Sequence, residues 1–158
     1  MGSPDRPPRP TRGDFVVWRQ ATTRWDDDDV YGHMNNARYF DLIDTAVNAY
    51  LAEATGVDIR SLPAVGVVAE VSCRYFHEIG YPGPVDLGLA VERIGNTSVI
   101  YRIGLFQGGH GAVEEPAAAE GRFVHVYVES VRRDGAARAT TPIPEEIRRV
   151  LVPLVTSG

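Results

Sequence analysis

The sequence contains a single cysteine, Cys73, among its 158 residues. One thiol cannot form a disulfide within the chain, and proteins without disulfides are typical of a reducing compartment. The sequence also lacks a run of the roughly 20 apolar residues that cross a membrane. Its N-terminus is rich in proline and arginine and has no apolar signal segment. We therefore expect a cytoplasmic protein without a membrane partner.

Basic residues and recognisable cofactor motifs are scarce as well. There are 16 Lys and Arg against 21 Asp and Glu, with a net charge of −5, so the basic face that nucleic acids require is not expected. The four histidines lack metal-ligand spacing, and we expect neither a metal nor a bound cofactor. No G-x-G-x-x-G, P-loop or G-x-S-x-G motif is present, although the sequence alone does not exclude a Ser-His-Asp triad.

The length suits one hydrophobic core. Residues 1–13 contain four prolines and no apolar periodicity, which predicts a disordered tail before a single domain over 14–158. The segment DFVVWRQATTRW has the composition of a strand. It is followed by the one long helical pattern, NNARYFDLIDTAVNAYLAEATG, for which Asn35 or Asn36 is a suitable N-cap and Gly56 a suitable end. Its wide apolar stripe predicts a helix enclosed by a sheet.

From residue 65 onward the apolar period changes from 3.6 to two. Four strands are predicted in VVAEVSCRYF, VDLGLAVERI, SVIYRIGLF and GRFVHVYVESV, and a short helix in TPIPEEIRRVLVPLV. Gly95-Asn96 can adopt the positive φ angles of a tight hairpin. The fold class is therefore α+β: one strand, a long helix, and four further strands, which we expect to form an antiparallel meander around the helix.

Four adjacent carboxylates, Asp26 to Asp29, precede Gly32-His33 and the long helix. Such a run is most often a solvated loop. A calcium loop beginning at Asp27 would place Asp29 third and Gly32 sixth, but Tyr31 is fifth and Arg38 twelfth, which excludes an EF-hand. The helix start offers unpaired N–H groups and a partial positive charge. Those groups can stabilise an oxyanion while a nearby carboxylate acts as nucleophile or general base.

The segment RWDDDDVYGHMNNARYFDLID resembles the opening of hotdog-fold acyl-CoA thioesterases of the 4-hydroxybenzoyl-CoA thioesterase type. It has the D-x-D that ends three residues before a glycine, followed by H-x-N-N-x-x-Y. SCRYFHEIGYPGPVDLGLAVERIGNTSVIYRIGLF, GRFVHVYVE and TPIPEEIRRVL are similar to the family's later strands and tail, so that the resemblance covers roughly residues 14 to 152. It implies the hotdog fold, a long central helix wrapped by a curved antiparallel sheet.

The resemblance also implies a site. By the Gly32 spacing, the catalytic carboxylate falls on Asp29 and the carbonyl-polarising backbone N–H on Asn36, with Asp27 in a supporting or loop-shaping role. The resemblance further implies that the substrate is bound by six residues: Gly32, His33, Asn35, Tyr39, Thr97 and Ser98. Several of these have alternative roles that stay open: His33 in ordering the loop, Asn35 as helix cap, Tyr39 in the core, and Thr97 and Ser98 at an exposed strand edge.

The function implied is hydrolysis of an acyl-CoA thioester to a free acid and coenzyme A, with coenzyme A entering only as part of the substrate. Family members assemble as homodimers or homotetramers, and we expect the same here. Two alternatives remain open. The first is hydrolysis of an acyl-carrier-protein thioester, and the second is a non-catalytic hotdog protein that binds acyl-CoA.

Overall fold

The computed structural model describes residues 6–131 and 137–157. Five strands form one antiparallel sheet in the order β1-β3-β4-β5-β2, and two α-helices accompany it. In chain order the elements are β1 (Val17–Ala21), α1 (Asn36–Thr55), β2 (Ala64–Tyr75), β3 (Val85–Ile94), β4 (Ser98–Phe106), β5 (Ala119–Glu129) and α2 (Glu145–Leu151). The predicted α+β class is confirmed, with α1 packed against a curved sheet.

Helix α1 begins and ends where the sequence predicts. The Asn35 side chain accepts a hydrogen bond from the Ala37 N–H (2.9 Å), and Gly56 closes the helix in the left-handed conformation at φ 69°. The buried face of the helix consists of Tyr39, Leu42, Ile43, Ala46, Val47 and Leu51. This face packs on the inner side of the sheet, where Leu87, Leu89, Tyr101, Ile103, Leu105 and Phe123 are fully buried.

The expected four-strand meander is wrong at β2. Only β3, β4 and β5 lie side by side in chain order, whereas β2 pairs with β5 at one edge of the sheet and β3 lies between β1 and β4. The alternating pattern shows which face of a strand is buried, but it does not show which strand lies beside it. The link from β2 to β3 is not a hairpin turn: it runs past the start of α1, where the Ile79 carbonyl accepts the Met34 N–H (2.9 Å).

The β3–β4 connection is a hairpin, as predicted, but its backbone differs from the prediction. Within the described chain, positive φ angles occur at five glycines elsewhere and at neither Gly95 nor Asn96. The loop has three residues, 95–97, and the Gly95 N–H donates to the Ser98 carbonyl (2.8 Å). A loop of this length does not require the two left-handed residues of a two-residue type I′ turn.

The predicted disordered tail over 1–13 is wrong for residues 6–13, and residues 1–5 lie outside the described chain. Residues 6–13 cross the outer face of the sheet. The Arg12 guanidinium lies between Asp86 (2.7 Å) and Glu115 (2.5 Å), and the Arg9 side chain donates to the Ala117 carbonyl (2.7 Å). Composition did not reveal this, because the ordering contacts come from partners far away in sequence.

Below this segment lies a second small apolar cluster, formed by Phe15, Ala90, Phe106 and Ala117. Phe15 covers Gly104 so closely that a Cβ built there would lie 2.4 Å from the Phe15 ring and 2.8 Å from the Phe106 ring. Glycine at position 104 is therefore a packing requirement of the outer face.

We expect Gly104→Ala to lower the free energy of unfolding by about 1–3 kcal/mol, because the added methyl group overpacks this cluster. Chemical denaturation of wild type, Gly104→Ala, Phe15→Ala and the double variant measures the effect. In the double variant the closest contact of the methyl group, with the Phe15 ring, is removed, so the two costs should be less than additive. Strict additivity would contradict a direct clash with Phe15.

Within the parts of the chain that the structure describes, no helix combines the length and apolarity required to cross a bilayer.

Candidate active site

The four carboxylates of the acidic run have different environments. Asp26 is exposed, Asp27 is buried, and Asp28 and Asp29 are half-buried. The aspartate side chains of this one short loop therefore range from exposed through half-buried to buried.

Asp27 anchors the loop to the helix. Its carboxylate accepts the Arg24 N–H (2.7 Å) and the Arg24 guanidinium, and Arg38 Nε lies 3.1 Å from Oδ1 without the alignment of a hydrogen bond. Burial alone would raise the pKa of Asp27, but hydrogen bonds from Arg24 and the charges of Arg38 and Arg24 lower it below its usual value. Asp27 is therefore held ionised between the loop and the first turn of α1, in agreement with a loop-shaping role.

The sequence motif assigns no role to Asp28, but in the structure Asp28 connects the acidic loop to the β2–β3 link. Its Oδ1 accepts the Tyr81 N–H (3.1 Å) from the β2–β3 link. Gly80 lies directly beside it, where a Cβ would be 2.9 Å from the same oxygen. The contact joins two segments that are 53 positions apart, and no local sequence signal could have shown it.

Asp29 closes a turn with one carboxylate oxygen. Oδ1 accepts the Tyr31 N–H (2.8 Å), the Asp29 N–H donates to the His33 carbonyl (2.7 Å), and Gly32 takes the left-handed φ of 82° that the turn requires. Within residues 6–131 and 137–157, no hydrogen bond or ion pair engages Oδ2. The loop therefore fixes the carboxylate by one oxygen and leaves the other available.

The start of α1 presents a single unpaired amide. The Asn35 N–H donates to the Asp27 carbonyl (2.7 Å), the Ala37 N–H to the Asn35 side chain, and the Arg38 N–H to the Asn35 carbonyl (2.9 Å). The Asn36 N–H is the remaining one, and it has no acceptor among the described residues. Asn35 acts as the helix cap, which leaves the next amide free at the positive end of the helix dipole.

Tyr75, at the end of β2, covers this helix start. Its hydroxyl donates to the Asn36 side-chain oxygen, and its ring meets Tyr39 edge to face at 4.9 Å. Burial, with a further contribution from nearby Cys73, raises the pKa of Tyr75 to about 12, so the hydroxyl keeps its proton at neutral pH. Tyr39 is a buried core residue beneath this pair. Sequence reasoning placed Tyr75 on a strand but did not assign it to the site.

The remaining predicted positions divide into two groups. His33 Nδ1 lies 2.9 Å from Glu78 Oε2, so it ties the loop to the β2–β3 link. Thr97 and Ser98 belong to the β3–β4 hairpin, at the end of β4 opposite to Phe106 and Gln107, which adjoin the link. That separation is roughly 25 Å along the strand, so a single chain does not bring them to Asp29.

Exposed apolar side chains surround the acidic loop. Trp25, Val30 and Tyr31 are 79%, 93% and 80% exposed, and Trp25 contacts Tyr81 edge to face at 6.0 Å. No cluster of three or more potential metal-ligating side chains occurs in the described chain, this loop included. The site thus combines an oriented carboxylate, a free backbone amide and an apolar rim.

A long helix enclosed by a curved five-stranded antiparallel sheet is the hotdog fold. The chain belongs to the Thioesterase-like superfamily, whose family model matches residues 23–151.

Solved structures agree with this assignment. The PA5185 protein from Pseudomonas aeruginosa is 43% identical, with a TM-score of 0.83 over 95% of this chain and 99% of that one. Gentisyl-coenzyme A thioesterase BH1999 (17% identity, TM-score 0.70, 85% and 99% covered) and the dynemicin thioesterase (16%, 0.77, 89% and 98%) share the fold. None of the curated proteins matches the chain.

Proposed function

We propose that the protein hydrolyses an acyl-CoA thioester to a carboxylic acid and coenzyme A, and that it acts in the cytoplasm. Membership of the thioesterase-like superfamily supports thioester hydrolysis in general. The observation that carries the finer proposal is the unpaired Asn36 N–H at the start of α1, close in sequence to an Asp29 carboxylate with one free oxygen.

In the proposed reaction the Asn36 N–H donates to the thioester oxygen and stabilises the negative charge that develops there. Asp29 Oδ2 acts in one of two ways. As a general base it takes a proton from water while the hydroxide adds to the carbonyl carbon, and the proton then passes to the departing thiolate. As a nucleophile it expels the thiolate and forms a mixed anhydride, which water hydrolyses to regenerate the carboxylate.

The surroundings of the loop favour coenzyme A over a carrier protein as the thiol portion. A carrier protein with an acidic surface would need a basic docking patch at the mouth of the site. Here the mouth carries exposed Asp26 and Glu78 together with apolar Trp25 and Tyr31. The apolar rim suits the uncharged pantetheine arm and the acyl chain, which both kinds of thioester share, so the preference for coenzyme A rests on the acidic side chains at the mouth.

Thiol release from short, long and aromatic acyl-CoAs and from a matched acyl carrier protein tests this proposal. We expect turnover with at least one acyl-CoA and little with the same acyl group on the carrier. Turnover of the carrier-bound thioester alone would favour the carrier-protein alternative. Tight acyl-CoA binding with no thiol release from any member would favour the non-catalytic alternative.

We further propose that the active form is a homodimer paired along β2. This strand is a twelve-residue edge of the sheet, and its Val67 and Val68 are 39% and 47% exposed. Long apolar edges invite pairing with another strand. Antiparallel pairing of two β2 strands would bring the β3–β4 hairpin of one subunit, with Thr97 and Ser98, towards the Asp29 end of the other.

Replacing both Val67 and Val68 by Lys should convert the dimer to a 17.3 kDa monomer and abolish most thiol release. Light scattering coupled to gel filtration measures the mass, and it also distinguishes a dimer from the tetramer that the family resemblance allows. Val113→Lys, at a 70% exposed loop position, is the matched control and should leave the mass unchanged. A wild-type monomer with full activity would contradict the dimer proposal.

A further inference from the structure

Tyr75, the last residue of β2, makes two separate contacts near the start of α1. Its ring meets the ring of Tyr39 edge to face at 4.9 Å, and its hydroxyl donates to the side-chain oxygen of Asn36. A phenylalanine ring would make the first of these contacts equally well. The hydroxyl is therefore the part of Tyr75 that packing does not explain.

Two successive asparagines at this helix start use the same side chain differently. Asn35 Oδ1 accepts the Ala37 N–H (2.9 Å) and caps the helix. Asn36 Oδ1 instead accepts the hydroxyl of Tyr75, which lies 39 positions later in the chain. Asparagine side chains readily bond to their own or a neighbouring backbone N–H, so Asn36 Oδ1 without another partner would turn to the amides around it. The Tyr75 hydroxyl supplies that other partner.

The Asn36 backbone N–H is the amide on which the proposed reaction depends. It has no acceptor among the described residues. If Asn36 Oδ1 accepted this N–H, the donor would be less available to a thioester oxygen. The partial negative charge of Oδ1 would also lie where the oxyanion develops, and the two would repel each other.

We propose that Tyr75 is a positioning residue, whose hydroxyl holds Asn36 Oδ1 away from the Asn36 backbone N–H and so keeps this amide free to bind a carbonyl oxygen. The hydroxyl remains a donor at neutral pH, because burial raises the pKa of Tyr75 to about 12. The effect on the amide is a property of the protein alone. Its consequence for the rate of thiol release rests on the proposed function.

The direct test measures exchange of the Asn36 amide proton with water by NMR, in 15N-labelled protein without substrate. Tyr75→Phe keeps the ring beside Tyr39 and removes only the hydroxyl. Exchange should slow by about two- to tenfold in Tyr75→Phe, the protection expected from one neutral hydrogen bond. In an Asn36→Ala background the same substitution should leave exchange at position 36 unchanged, because no Oδ1 remains. An unchanged exchange rate in Tyr75→Phe alone would overturn the proposal.

Tyr50→Phe is the matched control. The Tyr50 hydroxyl donates to the Val150 carbonyl (2.6 Å) and joins α1 to α2, away from the acidic loop. Its removal should lower the free energy of unfolding without changing exchange at Asn36 or kcat. If Tyr50→Phe slowed Asn36 exchange as much as Tyr75→Phe does, the result would reflect a general change in α1 and the proposal would fail.

A kinetic measurement tests the consequence for catalysis. Tyr75→Phe should lower kcat for a good acyl-CoA by about two- to tenfold with KM close to wild type, because the amide acts mainly on charge that develops in the transition state. In the Asn36→Ala background, Tyr75→Phe should not lower kcat further. An equal loss in both backgrounds would contradict positioning through the Asn36 side chain.

The two measurements separate this proposal from the proposed function. If Asn36 exchange slows as expected but no acyl-CoA is hydrolysed, the role of Tyr75 in freeing the amide stands and the proposed function fails. If acyl-CoA is hydrolysed but Asn36 exchange does not respond to Tyr75→Phe, the proposed function stands and the role of Tyr75 is refuted.

Discussion

Asp29→Asn should lower the rate of thiol release from a good acyl-CoA by about 10²- to 10⁴-fold, the usual contribution of a general base, or by more if Asp29 is the nucleophile. The fold should persist, because Asn keeps an Oδ1 that can accept the Tyr31 N–H as Asp29 does (2.8 Å). Initial rates together with a thermal unfolding curve separate the two effects.

Asp26→Asn is the matched control for this substitution. It removes the same charge from the same acidic run, but Asp26 is exposed. We expect its rate to stay within a few-fold of wild type. If Asp29→Asn retained full activity while Asp27→Asn lost it without unfolding, the catalytic carboxylate would be two residues earlier in the loop.

Asp27→Ala should produce the largest loss of stability in the loop, about 3 kcal/mol at neutral pH. The substitution removes a buried carboxylate from Arg24 and Arg38, and loss of one partner from a buried ion pair typically costs 3–5 kcal/mol. Exposure of the Arg24 side chain (67%) places the expectation at the lower end of that range. Denaturant unfolding at pH 7 measures the difference.

The pH dependence of this difference provides an internal check. The folded-state pKa of Asp27 is lowered from its usual 3.8, so its stabilising contribution is complete above that value. The contribution is lost as the pH falls through the lower folded-state pKa. The gap between wild type and Asp27→Ala should therefore shrink below pH 3.8, and a gap that stayed constant to pH 2 would assign the effect to packing.

Local patterns predicted the elements of the fold well. Strands β3 and β4 and the start and end of α1 follow directly from apolar periodicity and from the Asn35 and Gly56 caps. Those signals depend on neighbours in the sequence. The position of β2 beside β5 and the ordering of residues 6–13 depend on contacts between distant segments, which a single sequence does not display.

The site shows the same division. The spacing of Asp29, Gly32 and Asn36 leads to a turn and a helix start, both of which are local. The contacts of Asp28 with Tyr81 and of Asn36 with Tyr75 link the loop to segments about 40 to 50 residues away. Sequence periodicity does not indicate these long-range contacts, because they form only when the folded chain brings the two segments together.

The different contacts made by the aspartates of the acidic run affect how this loop is aligned with related sequences. Residues 27, 28 and 29 are all aspartates, but their contacts differ. Asp27 forms an ion pair, Asp28 accepts a hydrogen bond from the β2–β3 link, and Asp29 closes a turn. A sequence alignment shifted by one position would still match aspartate to aspartate, but it would equate residues that make different contacts. Descendants of this sequence should tolerate almost any residue at position 26 and very few at the next three, although all four letters are identical.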